Sequence, residues 1–390
     1  MIRNDRTIEY DEQRVMLVVI TALIPCFMMG IYVFGLDMLD NMLGGCGLAV
    51  LLAWLIRKAD AARASKSGSA VGPERRGSTA GLERRASAAA GKQGREPDLL
   101  AAVITGAVIV FGLPSTMPIY AVFIGVLIAM VPGRAAADWL MNRIKGTRSG
   151  AAHLLERAVI TAVMAQVVLW IIFREDINTW PLNDFVETRV QSGDVAEGVT
   201  PLRALAEGGD LPGLSRMFVG FISGPCGEVS VAAAVIGGVY LIWKRIISPL
   251  IPVCVLGAVF AAAYIYYVTA GAGVAAEAAH NGAAIAALGP GNVYNTAVYL
   301  AFYHVLSGGA VFGAFFLAPA VCFCGTRMIP TIKTHMALLE AVYAAGIGLI
   351  AVLFRIKGIF AEGMAAPVLI MYTLVYIIAA VVGRKKEARP

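Results

Sequence analysis

Few side chains in this 390-residue chain are placed to do chemistry, and they lie far apart in sequence. Glu228 is a lone carboxylate inside an apolar run, Gly224-Pro225-Cys226-Gly227-Glu228-Val229-Ser230. A carboxylate in such a run is costly unless it is paired, hydrated or functional. Pro225 and Gly227 beside it predict a broken helix whose freed backbone groups need a protein or water neighbour. Two readings follow: contact with an ion or a bound cofactor, or an acid at a re-entrant helix end bonded to backbone amides. His304 starts another apolar run and is followed by Ser307-Gly308-Gly309. An imidazole in such a run can pass protons, touch a cofactor, or serve as a satisfied packing group. Thr200 stands in a polar stretch, Asp194-Val195-Ala196-Glu197-Gly198-Val199-Thr200-Pro201-Leu202. Its hydroxyl is an oxygen able to carry an ester, although Asp, Gly and Thr at this spacing also make an ordinary turn.

Cys26, Cys46, Cys226, Cys254, Cys322 and Cys324 all fall in or at the ends of apolar runs, where cysteine usually serves as a small packing residue. Cys322-Phe323-Cys324 is a close pair, but a metal site needs about four ligands, and no second pair lies near it. No metal is expected. The sequence has no Gly-x-Gly-x-x-Gly after a strand, no Walker loop and no Cys-x-x-Cys array.

The elements that must position these residues are membrane spans. Hydrophobic residues make up 58% of the chain, charged residues 15%, and the mean hydropathy is +0.74. A soluble domain is about half apolar and about a quarter charged, so soluble folds are excluded. The fold class expected is an all-α polytopic membrane protein seated in a lipid bilayer. Ten spans can be drawn, some short or broken: 15–34, 38–56, 99–113, 117–132, 158–173, 217–242, 247–269, 297–320, 336–354 and 364–382. With the N-terminus in the cytoplasm, 26 of the 32 lysines and arginines fall on the inner side. Cationic loops stay inside, so both termini are expected to be cytoplasmic. The net charge of +6 therefore reports orientation, and nucleic acid is not an expected partner.

The chain then divides into an N-terminus with helices 1–2 (1–56), a cytoplasmic linker (57–98), and helices 3–5 (99–173). An outer loop (174–213), helices 6–10 (214–382) and a cytoplasmic tail (383–390) follow. The linker is rich in Ala, Arg, Gly and Ser and too poor in large apolar side chains to offset chain entropy, so it is expected to be disordered. The outer loop, with Trp180-Pro181, Gly193 and Gly198, reads as ordered.

The stretch 194–200 resembles the flavinylation motif of the RnfD and NqrB family. These are membrane subunits of the Rnf complex and of the Na⁺-translocating NADH:quinone reductase. The family pattern is Asp, two variable residues, Ser or Thr, then Gly-Ala-Thr. Asp194, Gly198 and Thr200 match it, while Glu197 and Val199 depart from it. Other segments resemble the family in order along the chain. They are Arg14-Val15-Met16 with Leu23-Ile24-Pro25 and Gly30-Ile31-Tyr32, then Gly112-Leu113-Pro114-Ser115-Thr116-Met117-Pro118, and the Glu228 segment. Tyr303-His304-Val305-Leu306-Ser307-Gly308-Gly309, Gly313-Ala314-Phe315-Phe316 and Phe360-Ala361-Glu362-Gly363-Met364 complete the series.

The resemblance implies FMN joined to the Thr200 hydroxyl by a phosphoester, installed by a dedicated flavin transferase. Asp194 and Gly198 would serve in its recognition, Arg203 as a phosphate partner, and Glu228 and His304 as ion or flavin-pocket contacts. It implies a subunit of a redox-driven translocase (of ferredoxin:NAD or NADH:quinone type) in the bacterial inner membrane. Such a subunit passes electrons between flavin and redox partners, coupled to Na⁺ or H⁺ movement, and is catalytic only with the other subunits of the complex. The family's cytoplasmic Gly- and Asn-rich stretch is largely lost over 133–158, where the chain ends on Leu154-Leu155-Glu156-Arg157-Ala158. The acid expected after Phe316-Leu317-Ala318 is lost as well. Both departures weigh against a second, noncovalent riboflavin. A secondary transporter, or a structural subunit without flavin, are the alternative readings.

Overall fold

The computed structural model describes residues 12–68, 95–142, 151–178, 180–181, 197–198, 200–207, 211–269, 293–320, 336–357 and 363–387. Helix α1 (Glu12–Phe34) and α2 (Leu36–Gly68) form a hairpin, and α3 (Arg95–Phe111) leads back into the bundle. Helix α4 (Ile119–Ile128) continues through a π-helical turn (Ala129–Gly133) into α5 (Arg134–Asn142), and α6 (Ala151–Ile172) returns. Beyond it lie the short α7 (Arg174–Asn178), strands β1 (Trp180–Pro181) and β2 (Glu197–Gly198), and α8 (Pro201–Glu207). Then come α9 (Leu214–Val219), α10 (Val231–Trp243), α11 (Leu250–Thr269) and α12 (Val293–Val305). Helix α13 (Gly308–Phe312) runs into a second π turn (Gly313–Leu317), followed by α14 (Met336–Ile356) and α15 (Ala365–Glu387).

The core is small and tight: alanines such as Ala22, Ala49, Ala107, Ala162 and Ala234 are buried at helix crossings beside Met16, Phe111 and Tyr372. Small residues let helix backbones approach, which drives association where lipid removes the hydrophobic incentive. Large apolar side chains instead cover the outside, among them Leu17, Met28, Leu43, Leu127, Ile236 and Leu353. Lysine and arginine sit over aromatic rings where the apolar runs end, Lys58 on Trp54, Lys244 on Trp243 and Arg174 on Trp170. These pairs mark the interfacial belts of a spanning protein. The chain is an all-α, multi-pass membrane protein, and β1 pairs with β2 in a two-residue antiparallel contact.

The span count corrects the sequence reading. Among the described residues six helices, not ten, are long and apolar enough to cross, or seven if the bent pair Tyr294–Val305 and Gly308–Ala320 is one span. Three of the expected spans are shorter apolar helices: Asp98–Phe111, Val231–Trp243 and Ala365–Val375. At 1.5 Å per residue, a helix of 13 residues covers about 20 Å of a roughly 30 Å core. Glycine and proline end two of these helices early: Gly112 and Pro114 follow α3, and residues 220–225, with Gly220, Gly224 and Pro225, precede α10. The linker boundaries move too. Helix α2 runs on to Gly68 and α3 begins at Arg95, because Ala, Lys and Arg are strong helix formers and Asp60 meets Arg63 one turn away. The rest of the linker, 69–94, lies outside the described residues.

Candidate functional site

The chain around Thr200 is built onto the bundle by α8. Thr200 caps that helix: its Oγ1 accepts the Arg203 N–H at 3.4 Å, and its carbonyl accepts the Ala204 N–H at 2.8 Å. Pro201 takes the first helical position, where a missing N–H costs nothing. Leu202 then packs into a cluster with Met217, Ile222, Val229 and Tyr303, flanked by Leu205, Leu211 and Tyr299. Upstream, Gly198 pairs with Trp180 and Glu197 with Pro181. Thr200 is consequently only 1% exposed. Along the chain, only the Thr-Pro order hints at this capping role. Asp194 and Val199, and the flanking Arg189, lie outside the described residues.

Three interruptions of the helices meet beneath this segment. The turn after α3 and the segment 220–230 between α9 and α10 bond to each other's backbone groups, and the 61° bend between α12 and α13 abuts that segment at Glu228. Gly227 N–H donates to the Phe111 carbonyl and Cys226 N–H to the Leu113 carbonyl, both at 3.1 Å. Asn41, from α2, donates to the Ser115 and Met117 carbonyls at 3.0 and 3.1 Å. Ser230 caps α10 by accepting the Ala233 N–H. Gly220 closes α9 in the left-handed conformation, at φ 110°. These bonds answer the requirement that irregular backbone within a membrane be satisfied internally.

Glu228 sits at this junction, 3% exposed, its N–H bonded to the Pro225 carbonyl. Its carbonyl abuts α13: a Cβ on Gly308 would collide with the Glu228 carbonyl oxygen. Gly308→Ala should therefore prevent accumulation of folded protein, while Gly257→Ala, with none of the described residues within 4 Å of the added carbon, should leave it unchanged. Size-exclusion profiles of the two detergent-solubilised variants check this.

His304 closes α12, 3% exposed, with its Nε2 3.0 Å from the Tyr267 hydroxyl of α11. Its carbonyl accepts from Arg355 Nη1 at 2.7 Å and from Ser307 Oγ at 2.9 Å. The buried Arg355 of α14 thus places positive charge at the carbonyl end of a half-helix, where it is favoured. His304 and Glu228 flank the same crossing, through the Glu228–Gly308 contact and the His304–Ser307 turn. Tyr303, beside His304, belongs to the cluster that holds Leu202.

Sequence reasoning passed over other buried polar groups. Glu156 is fully buried in α6 and accepts from the Tyr372 hydroxyl of α15 at 2.9 Å. Its neighbour Arg157 bonds Asp98 at 2.7 Å and approaches Asp138 at 3.8 Å, clamping α3, α5 and α6. Both were legible as charges in an apolar run at 154–158, but pairing between distant helices carries no local signal. Cys26, Cys46, Cys226 and Cys254 are free thiols, and Cys322-Phe323-Cys324 lies outside the described residues.

A bundle of short and broken helices with α8 packed over their junction defines a multi-pass membrane protein. The pattern of the NQR2, RnfD, RnfE family matches residues 157–387, from α6 through α15 and more than half of the chain. The chain belongs to this family. It is 28% identical over 276 residues to the D subunit of the Na⁺-translocating ferredoxin:NAD⁺ oxidoreductase complex of Acetobacterium woodii, covering 70% of this chain and 67% of that one. It is 26% identical over 283 residues to the D subunit of the proton-translocating ferredoxin:NAD⁺ oxidoreductase complex of Clostridium ljungdahlii, covering 70% and 69%. The D subunit of an ion-translocating oxidoreductase complex from Halorhodospira halophila is 26% identical over 299 residues, covering 70% of each chain.

Proposed function

We propose that this chain is the membrane subunit of an Rnf-like complex that couples electron transfer to Na⁺ or H⁺ movement, and that it carries FMN covalently on Thr200. The observation that supports the flavin most directly is the position of Thr200. It is a side-chain oxygen at the head of α8, a helix packed against the bundle through Leu202 beside Tyr303. FMN fits this chemistry, since a phosphoester needs such an oxygen. When bound, the group would accept electrons in pairs and release them singly. Thr200 would hold it, Arg203 would supply a cation one turn along α8, and Leu202 would fix the attachment point against the bundle. Asp194 and Gly198 would be read by the flavin transferase. Mass spectrometry of the peptide spanning 190–203, from cells that express the transferase, tests this. An added FMN phosphoester on Thr200 supports the reading, and an unmodified Thr200 overturns it.

In this reading the chain lies in the bacterial inner membrane with 174–213 outside, 383–390 inside, and the other proteins of the complex as partners. An impermeant thiol reagent should label Ser192→Cys in intact cells. Labelling confined to lysed cells would reverse the orientation. Glu228 lies at the junction of broken helices, and Glu228→Gln should slow electron transfer or uncouple it severalfold while membrane insertion stays normal. Turnover and ion movement at the wild-type level would leave Glu228 a purely structural acid.

The three interruptions also suit a secondary transporter, whose sites form where discontinuous helices meet. Solute uptake by proteoliposomes containing this chain alone would favour that reading.

A further inference from the structure

We propose that His304 and Tyr267 form a proton relay at the break between α12 and α13, on the side of the bundle that carries the Thr200 loop. The proposal rests on the ion-translocating reading above and not on the flavin.

His304 offers one nitrogen to a partner and keeps the other without one. Nε2 lies 3.0 Å from the Tyr267 hydroxyl, whereas Nδ1 is buried with no hydrogen-bond partner among the described residues. Leaving a buried polar atom unsatisfied costs on the order of 1–3 kcal/mol, so its retention calls for an explanation. Either tautomer leaves Nδ1 in the same position. If Nε2 accepts the phenolic proton, Nδ1–H has nothing to donate to; if Nε2 donates, the Nδ1 lone pair has nothing to accept. A neutral imidazole with one nitrogen in a hydrogen bond and one open is the arrangement a proton carrier needs.

The surroundings hold this ring in place. Arg355 Nη1 and Ser307 Oγ both donate to the His304 carbonyl, pinning the backbone where the helix bends. Tyr267 is in turn held against Tyr266, with ring centroids 5.2 Å apart. Three elements thus meet at the ring: α12 supplies His304, α11 supplies Tyr267 and Tyr266, and α14 supplies Arg355. Tyr303, the residue before His304, packs with Leu202 of the loop helix, so the pair lies close beneath the outer loop.

The same groups are poorly suited to bind Na⁺. A hard cation wants about six oxygen ligands, and here one imidazole nitrogen and one phenol stand beside a guanidinium. Proton transfer needs only a water at each end of the pair. A proton from one water bonds to Nδ1 as the Nε2–H bond breaks, the Nε2 proton joins the Tyr267 oxygen, and the phenol gives its own proton to a second water. One proton enters and one leaves, no electron moves, and the ring is left as its Nδ1–H tautomer, which exchanges with water before the next passage.

The test uses the assembled complex in proteoliposomes, with proton movement, sodium movement and electron transfer followed together. Tyr267→Phe keeps the ring and removes the hydroxyl. His304→Gly removes the ring and leaves space for added imidazole. The expected result is a complex with wild-type flavin content whose protons moved per electron fall at least fivefold in both variants. Added imidazole should restore the ratio in His304→Gly alone, a rescue that a merely structural histidine would not show. A wild-type ratio in either variant overturns the relay, as does a wild-type complex that moves sodium and no protons. If His304→Gly does not assemble, the ratio in Tyr267→Phe decides. Absence of FMN from Thr200 in these preparations would refute the flavin assignment and leave the ratio measurement intact.

Discussion

Thr200→Val should abolish the covalent flavin completely and also loosen the start of α8. The first effect is chemical: valine keeps the volume and β-branching of threonine but has no oxygen to esterify. The second arises because Thr200 Oγ1 accepts the Arg203 N–H as the helix cap. Losing such a cap costs about 1 kcal/mol. The two effects must be separated, or loss of label could be read as loss of loop structure. Thr200→Asn separates them, since asparagine keeps a capping oxygen but has no hydroxyl to esterify and should give no band, while serine keeps both functions. The expected result is no fluorescent band on a denaturing gel for Thr200→Val, a retained band for Thr200→Ser, and the same amount of inserted protein for both. A band that persists in Thr200→Val would place the flavin on another residue. Asp194→Ala should lower labelling while leaving the acceptor and the cap in place.

The sequence disclosed some layers of this protein and hid others, for physical reasons. Apolar runs and the segregation of lysine and arginine are local properties, so the membrane class and its helices could be read directly. Where a span becomes two half-helices is decided by how freed backbone groups find partners. Gly224-Pro225 announced one break, but not that Phe111, Leu113, Asn41 and Ser230 would satisfy the backbone there and in the turn after α3, and the bend at Ser307-Gly308 falls inside what reads as a single span, 297–320. The expected count of ten spans therefore gave way to six or seven among the described residues, with shorter helices completing the bundle. Likewise, no two-half symmetry of interruptions was visible along the chain, yet three interruptions converge in space. The candidate site divides in the same way. Glu228 and His304 stood out as charged or titratable residues in apolar runs, and both lie at the junction. Tyr267, Arg355 and Tyr372 did not, because tyrosine and a terminal arginine are ordinary in spans and acquire meaning only through a distant partner. Helix α2 continues past its apolar run to Gly68, into the stretch read as linker, and Asp60 meets Arg63 one turn away there.

If Thr200 carries FMN as proposed, its burial sets the order in which the flavin can be attached. A transferase must bring its phosphoryl donor to Oγ1, and a residue 1% exposed cannot receive it while α8 is docked. Attachment therefore draws on the fraction of molecules in which the loop is open, and anything that weakens docking should speed it. Leu205 is a suitable lever. It flanks the cluster of Leu202, Met217 and Tyr303, and it lies outside both the stretch 194–200 and the Thr200–Arg203 cap. Truncating a partly buried leucine to alanine costs about 1.5 kcal/mol, below the roughly 2–5 kcal/mol of a fully buried one. If closed molecules predominate, that shifts the open fraction, and hence the initial labelling rate, by on the order of tenfold. Protein made without transferase, purified and then mixed with the enzyme and its flavin donor, gives the rate directly. Leu205→Ala should label about ten times faster than wild type and reach the same final extent. Met217→Ala, buried in the same cluster on α9, should also label faster. Equal rates in wild type and both variants would mean that the docked loop does not limit access in solution, and that the transferase meets Thr200 already open.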